Sequence, residues 1–141
     1  MRAVRSCGGL VIAGALAMLL AAFAPRHVLA AETLPTQDRV ALQSAMAQYI
    51  DQHLVGDSFL HVNTKTGEVQ KLYPSTQHPM IVQMGTVIVL CADLRTASGG
   101  LVNADFYATR EGKQYVIFQA EIGNREPLQA LLMKGLASML E

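Results

Sequence analysis

Leu42, Ala45, Met46, Tyr49, Ile50, His53 and Leu54 recur at spacings of three and four, which gathers them on one face of a helix and predicts that helix over residues 38–54. Thr36 offers a hydroxyl for its N-cap, Asp38 suits the positive end of its dipole, and Gly56 is a natural stop. Beyond Gly56 the period falls to two. Residues 58–63 and 69–73 read as short strands joined by the turn Thr64-Lys65-Thr66-Gly67-Glu68, with glycine where positive φ is needed. Residues 74–79 hold two prolines among small polar side chains and are expected to be a loop. Residues 80–96 read as one long strand with Gly85 as a bulge, residues 101–110 and 114–122 as two more, and residues 126–140 as a second helix with Pro127 in its first turn.

The last three strands allow a finer expectation. Ile88, Leu90, Ala92 and Leu94 are apolar at even positions, as are Val102, Ala104, Phe106 and Ala108, whereas Asp93, Arg95, Asn103, Asp105 and Thr109 fall on odd ones. Even positions therefore face the core, and a slip of one residue would bury the polar set. A three-residue loop Ser98-Gly99-Gly100 then places Ala92 opposite Phe106, and a loop Glu111-Gly112-Lys113 places Phe106 opposite Phe118 and Val102 opposite Ile122. On the other face the same scheme puts Cys91, Tyr107 and Ile117 in one row, Asp93, Asp105 and Gln119 in the next, and Arg95, Asn103 and Glu121 in a third. Val87, Val89 and Tyr115 extend the apolar half of that face, which must be covered by the C-terminal helix, through Leu128, Leu131, Leu132 and Met139, or by a second copy of the protein. The expected fold class is α+β: an N-terminal helix packed on a curved antiparallel sheet of about five strands, with a C-terminal helix.

This element order across residues 38–122, with the strand around Asp105-Phe106-Tyr107, resembles the cystatin-like and nuclear-transport-factor-2-like superfolds, and the chain also looks like small periplasmic proteins of Gram-negative bacteria. The resemblance implies a sheet wrapped round a long helix. It implies no single activity, because such superfolds host enzymes, transporters and passive adaptors alike.

The N-terminus changes how composition is read. Arg2 and Arg5 precede the apolar run 10–24, and Val28-Leu29-Ala30 supplies small residues where signal peptidase cuts, so residues 1–30 read as a cleavable signal peptide, 31–37 as a mobile leader and 38–141 as one domain. The run is short for a membrane anchor, and no stable span is expected after cleavage. The expected location is periplasmic or secreted. The chain has 11 Lys and Arg against 11 Asp and Glu, but Arg2, Arg5 and Arg26 leave with the leader, so the mature part is acidic by three charges and lacks the basic footprint of a nucleic-acid binder. Cys7 leaves too, so Cys91 has no partner for an internal disulfide.

Candidate chemistry is sparse. Asp93 opposite Asp105 would repel unless protonated, bridged or hydrated, and in a closed cone the pair would suit the acid–base work of an isomerase or hydrolase. Cys91, in an apolar strand, reads as a buried small hydrophobe, with a nucleophile served by His53, His61 or His78, or an intermolecular disulfide, as the other roles open to it. His61, His78, Met80, Met84 and Cys91 carry soft-metal donors without any metal-binding spacing motif, and no cofactor is implied. His53 is expected on the buried side of the helix. The function expected first is a non-enzymatic binding or scaffold module, with a protein partner or self-association through the outer sheet face at Tyr107, Tyr115 and Ile117. The second is a carrier of a small apolar ligand in a space lined by Met46, Tyr49, Phe106 and Phe118.

Overall fold

The structure is a computed structural model and describes residues 33–140; the expected signal peptide and the first two residues of the expected leader lie outside the described residues. Helix α1 (Thr36–Gln52) is followed by β1 (Leu54–Val55), β2 (Ser58–Val62), β3 (Val69–Met84), β4 (Val87–Thr96), β5 (Leu101–Glu111) and β6 (Gln114–Ile122), then helix α2 (Glu126–Met133) and β7 (Ser138–Leu140). The expected α+β class is what is found, with seven strands among the described residues rather than about five. All pairings are antiparallel, in the order β1 to β6, and β7 pairs the far end of β3.

α1 starts two residues early because Pro35, not Thr36, occupies the N-cap, with its fixed φ of −54° leading into the first turn. Gly56 does not end the helix. It takes φ +69° in the turn between β1 and β2, where Val55 pairs Ser58. The expected turn at residues 64–68 is present: Gly67 has φ +77° and the Asn63 side chain accepts from Lys65 N at 3.0 Å.

Residues 74–79, expected as a loop, belong to β3 instead. Register shifts between Pro74 and Gln77, and again between Gln77 and Ile81, let both prolines sit in a strand whose ladder to β4 is interrupted at those points. The expected single strand 80–96 is two strands. Gly85 at φ +59° opens a two-residue turn, and Met84 pairs Val87 across it.

The even-facing expectation holds through β4 and most of β5. Leu90, Ala92, Leu94, Ala104, Phe106 and Ala108 are buried with Leu42, Met46 and Ile50 of α1 in one core. Each fully buried large apolar side chain there stabilises by about 1.5–3 kcal/mol. The register differs by two residues, however: Ala92 pairs Ala104, and Phe106 pairs Leu90 on one side and Ala120 on the other. The β4–β5 loop closes with Thr96 N donating to Gly100 O at 2.8 Å, and the β5–β6 turn needs only two residues, since Glu111 pairs Gln114.

A bulge in β6 changes the faces again. Tyr107 pairs Gln119 while Ala108 pairs Ile117, leaving Phe118 as the extra residue, 52% exposed and part of neither core. Ile117 and Tyr115 are thereby turned to the helix side, where Ile117 is buried and Tyr115 packs against the core. The expected pairing of Phe106 with Phe118 and the expected outer-face positions of Tyr115 and Ile117 are both overturned by this one inserted residue.

The outer face has its own smaller core. α2 ends at Met133, seven residues before the expected end, because Gly135 at φ +67° turns the chain back toward β7. Within those eight residues Leu128, Leu131 and Leu132 pack on Val82, Val89, Cys91 and Tyr107. The chain's own C-terminal helix thus covers the apolar half of the outer face. Met139 does not contribute, being 49% exposed in β7.

Candidate functional site

The two-residue shift in register separates the carboxylates expected to face each other. Asp93 pairs Asn103, and Asp105 pairs Cys91 and Glu121. Asp105 is 1% exposed, so its charge must be met by protein. Arg125, at the N-cap of α2, meets it side-on: Nε donates to Oδ1 at 3.1 Å and lies 3.3 Å from Oδ2, while Nη2 donates to Oδ1 at 2.8 Å. Burial pulls the guanidinium pKa down, but the hydrogen bond and charge of Asp105 outweigh it and leave the group above its ordinary value. The pair locks the turn after β6 onto the sheet, helped by Gly123 N donating to Asn103 O at 2.8 Å.

Cys91 lies in the same pocket of charge. Burial first, then the Asp105 charge, push its pKa up to about 12. A thiol held protonated in this way is no nucleophile near neutral pH. Tyr107 is raised as well, by burial and then by Asp105. Asp93 has a different neighbour: His78 Nε2 lies 3.0 Å from its Oδ2, off the line of a hydrogen bond, so the contact is one of charge when the ring is protonated.

The soft-metal donors do not converge. Met80 and Met84 pack with Cys91 in the outer core, His78 turns to Asp93, and His61 sits in β2 opposite Gln70. Among the described residues no three His, Cys, Asp or Glu side chains form a group able to hold a metal ion. His53, expected on the buried side, is exposed; it stacks on Tyr49 with ring centroids 4.0 Å apart and its Nδ1 is 2.7 Å from Tyr49 O. Met46 and Phe106 are 1% and 0% exposed, and the Tyr49 ring meets Phe106 edge-on at 5.9 Å, so the space expected for an apolar ligand is filled by side chains.

Two hollows remain. A pocket of about 300 Å³ at the start of α1 is lined by Leu34, Asp38, Gln83, Arg110 and Tyr115; Arg110 stands 5.3 Å over the Tyr115 ring and 3.8 Å from Asp38. The Tyr115 hydroxyl is raised there by burial and by the Asp38 charge. The larger hollow, about 720 Å³, is a groove between the β2–β3 hairpin and the turn into α2. His61, Lys65 and Gln70 form one wall and Glu121, Asn124, Arg125 and Glu126 the other, with Val102, Ala120 and Ile122 also lining it. Asn124 Nδ2 donates to Glu121 Oε1 at 3.0 Å, and Asn103 Oδ1, on the same groove, is buried without a hydrogen-bond partner among the described residues. Because Arg125 gives Nε and Nη2 to Asp105, its Nη1 is left facing away from that carboxylate.

Sequence reasoning missed Arg125, which reads in the chain as part of a turn into a helix. The signal available was Asp105, an acid inside an apolar run that had to find a cation. No family model, curated protein or solved structure matches the chain.

Proposed function

We propose that this is an exported, non-enzymatic binding module that holds a small polar ligand in the groove between the β2–β3 hairpin and the α2 turn. The observation that carries the reading is the fixed guanidinium of Arg125, anchored on buried Asp105 and lining the groove. A side chain already immobilised costs little further entropy when a ligand arrives. The charge of Arg125 is already met by Asp105, so Lys65 stands against Glu121 and Glu126, a surplus of one negative charge that disfavours a polyanion and suits a neutral or zwitterionic ligand. The thiol at about 12 supports a binding role over a cysteine-based reaction. Export rests on the basic, apolar and small-residue succession of residues 1–30.

Amide chemical shifts of the exported protein, recorded with millimolar glycylglycine or glucose and with citrate or spermidine as charged controls, test the reading. Shifts confined to residues 61–65, 102–103 and 120–126 with one of the first two probes are expected, weakened in Lys65→Ala. Groove amides that stay still with every probe would rule it out.

A further inference from the structure

The sheet leaves several edges free, and one is unlike the rest. β1 is two residues long and β7 three, and β2 extends past β1 by only three residues. The stretch of β3 between its pairings with β2 and β7 carries Pro74 and Pro79, which have no N–H, and Pro79 O already accepts from Arg39 Nη1 at 2.9 Å. Short length, proline and a covering side chain are the devices that keep sheet edges from pairing with other chains. β6 has none of these three, and its one irregularity is the bulge at Phe118. It runs nine residues without proline or lysine, pairs only β5 among the described residues, and exposes Val116 and Phe118, at 38% and 52%.

We propose that β6 pairs antiparallel with β6 of a second copy, about a two-fold axis perpendicular to the sheet. The bulge is what points to a copy of the same chain. Tyr115 and Ile117 face the helix side before it, and Ala120 and Ile122 after it. A register that sets Ile117 opposite the second copy's Ala120, and Tyr115 opposite its Ile122, keeps like faces together along the whole strand, whereas registers centred on Val116 or Glu121 do so over only half of it. The axis then falls between Phe118 and Gln119, at the bulge itself, with three regular pairs on either side. An unrelated strand would need a matching irregularity of its own, whereas a copy brings it by symmetry. Glu121, the one charged residue of β6, meets Val116 of the second copy rather than a like charge, and the two Phe118 side chains come together across the axis.

Sedimentation velocity of the exported protein, without a tag and across the micromolar range, is expected to give the mass of two chains, dissociating on dilution. Phe118→Lys and Val116→Glu should each weaken the dimer by at least about tenfold, the first by bringing two like charges together across the axis and the second by setting a carboxylate opposite Glu121 of the second copy. Their circular dichroism should match that of the parent. Amide exchange along β6 should quicken on dilution, which decides the matter even if one variant fails to fold. The proposal is overturned by a single-chain mass at every concentration, or by a dimer indifferent to both substitutions. It is equally overturned if β6 amides are as strongly protected at concentrations where the mass is that of one chain as they are at higher ones.

Discussion

Arg125 reaches back twenty residues to Asp105 and holds its buried carboxylate through Nε and Nη2, joining the start of the last helix to the middle of the sheet. The pair makes the groove wall rigid and allows a charge to sit 1% exposed in the outer face. Removing the guanidinium alone strands that charge. Arg125→Met should therefore destabilise the fold by about 3–5 kcal/mol, as measured by urea unfolding, because an uncompensated buried carboxylate is left behind. The double change Asp105→Asn with Arg125→Met should recover at least half of the loss. Equal destabilisation of the single and double variants would show that the pair is held for its packing and not for its charge.

The two phenylalanines of the neighbouring strands should behave oppositely. Phe106 is fully buried against α1, and Phe106→Ala should cost about 3–5 kcal/mol, since the rigid sheet and helix cannot collapse into the space. Phe118→Ala, at the exposed bulge, should change the stability of the single chain by no more than about 0.5 kcal/mol. Urea midpoints measured at low protein concentration compare the two. A large cost at Phe118 under those conditions would mean that the bulge is misplaced.

That contrast marks how far the sequence carries. Alternation along 88–94 and 104–108 identifies the buried face correctly, because burial of one face of a strand leaves a period-two record in the residues themselves. It does not set the register. Pairings of Ala92 with Ala104 or with Phe106 both keep like faces together, so turn geometry decides, and a closing hydrogen bond from Thr96 to Gly100 leaves no trace in hydrophobicity. The bulge at Phe118 is invisible for a related reason: Ile117 and Phe118 are both apolar, and either could face the core. Prolines 74 and 79 mislead in the other direction, since proline excludes a regular ladder but not a strand with shifted register. The Asp105–Arg125 pair depends on tertiary contact across twenty residues, which no local pattern records.

Gly85 opens the turn between β3 and β4 at φ +59°, and a Cβ there would meet no heavy atom within 4 Å. Gly85→Ala should therefore cost about 1–2 kcal/mol, the strain of a left-handed alanine, with no contribution from crowding. Unfolding midpoints give the loss. Gly85→Asn, which tolerates that conformation better, should recover part of it. An alanine variant as stable as the parent would mean that the turn has a conformation other than the one described.

Cys91 makes alkaline stability depend on one thiol. Its pKa is about 12 in the folded chain, against 9.0 for an ordinary thiol, chiefly because of burial and then because of Asp105. A folded pKa above the unfolded one means that the unfolded chain loses the proton first as pH rises. The stability held by the protonated thiol is therefore complete below pH 9 and is lost progressively from there to about pH 12. Within that window the parent should lose about 1.4 kcal/mol per pH unit more than Cys91→Ala, each measured by urea unfolding at matched ionic strength. Below pH 9 the difference between the two should be constant. Alkylation by iodoacetamide at pH 8 should be slow in the folded protein and rapid in denaturant, since burial both protects the sulfur and keeps it protonated. A parallel pH dependence of parent and alanine variant, or prompt alkylation of the folded chain, would place Cys91 in water rather than between Val89, Leu128 and Asp105.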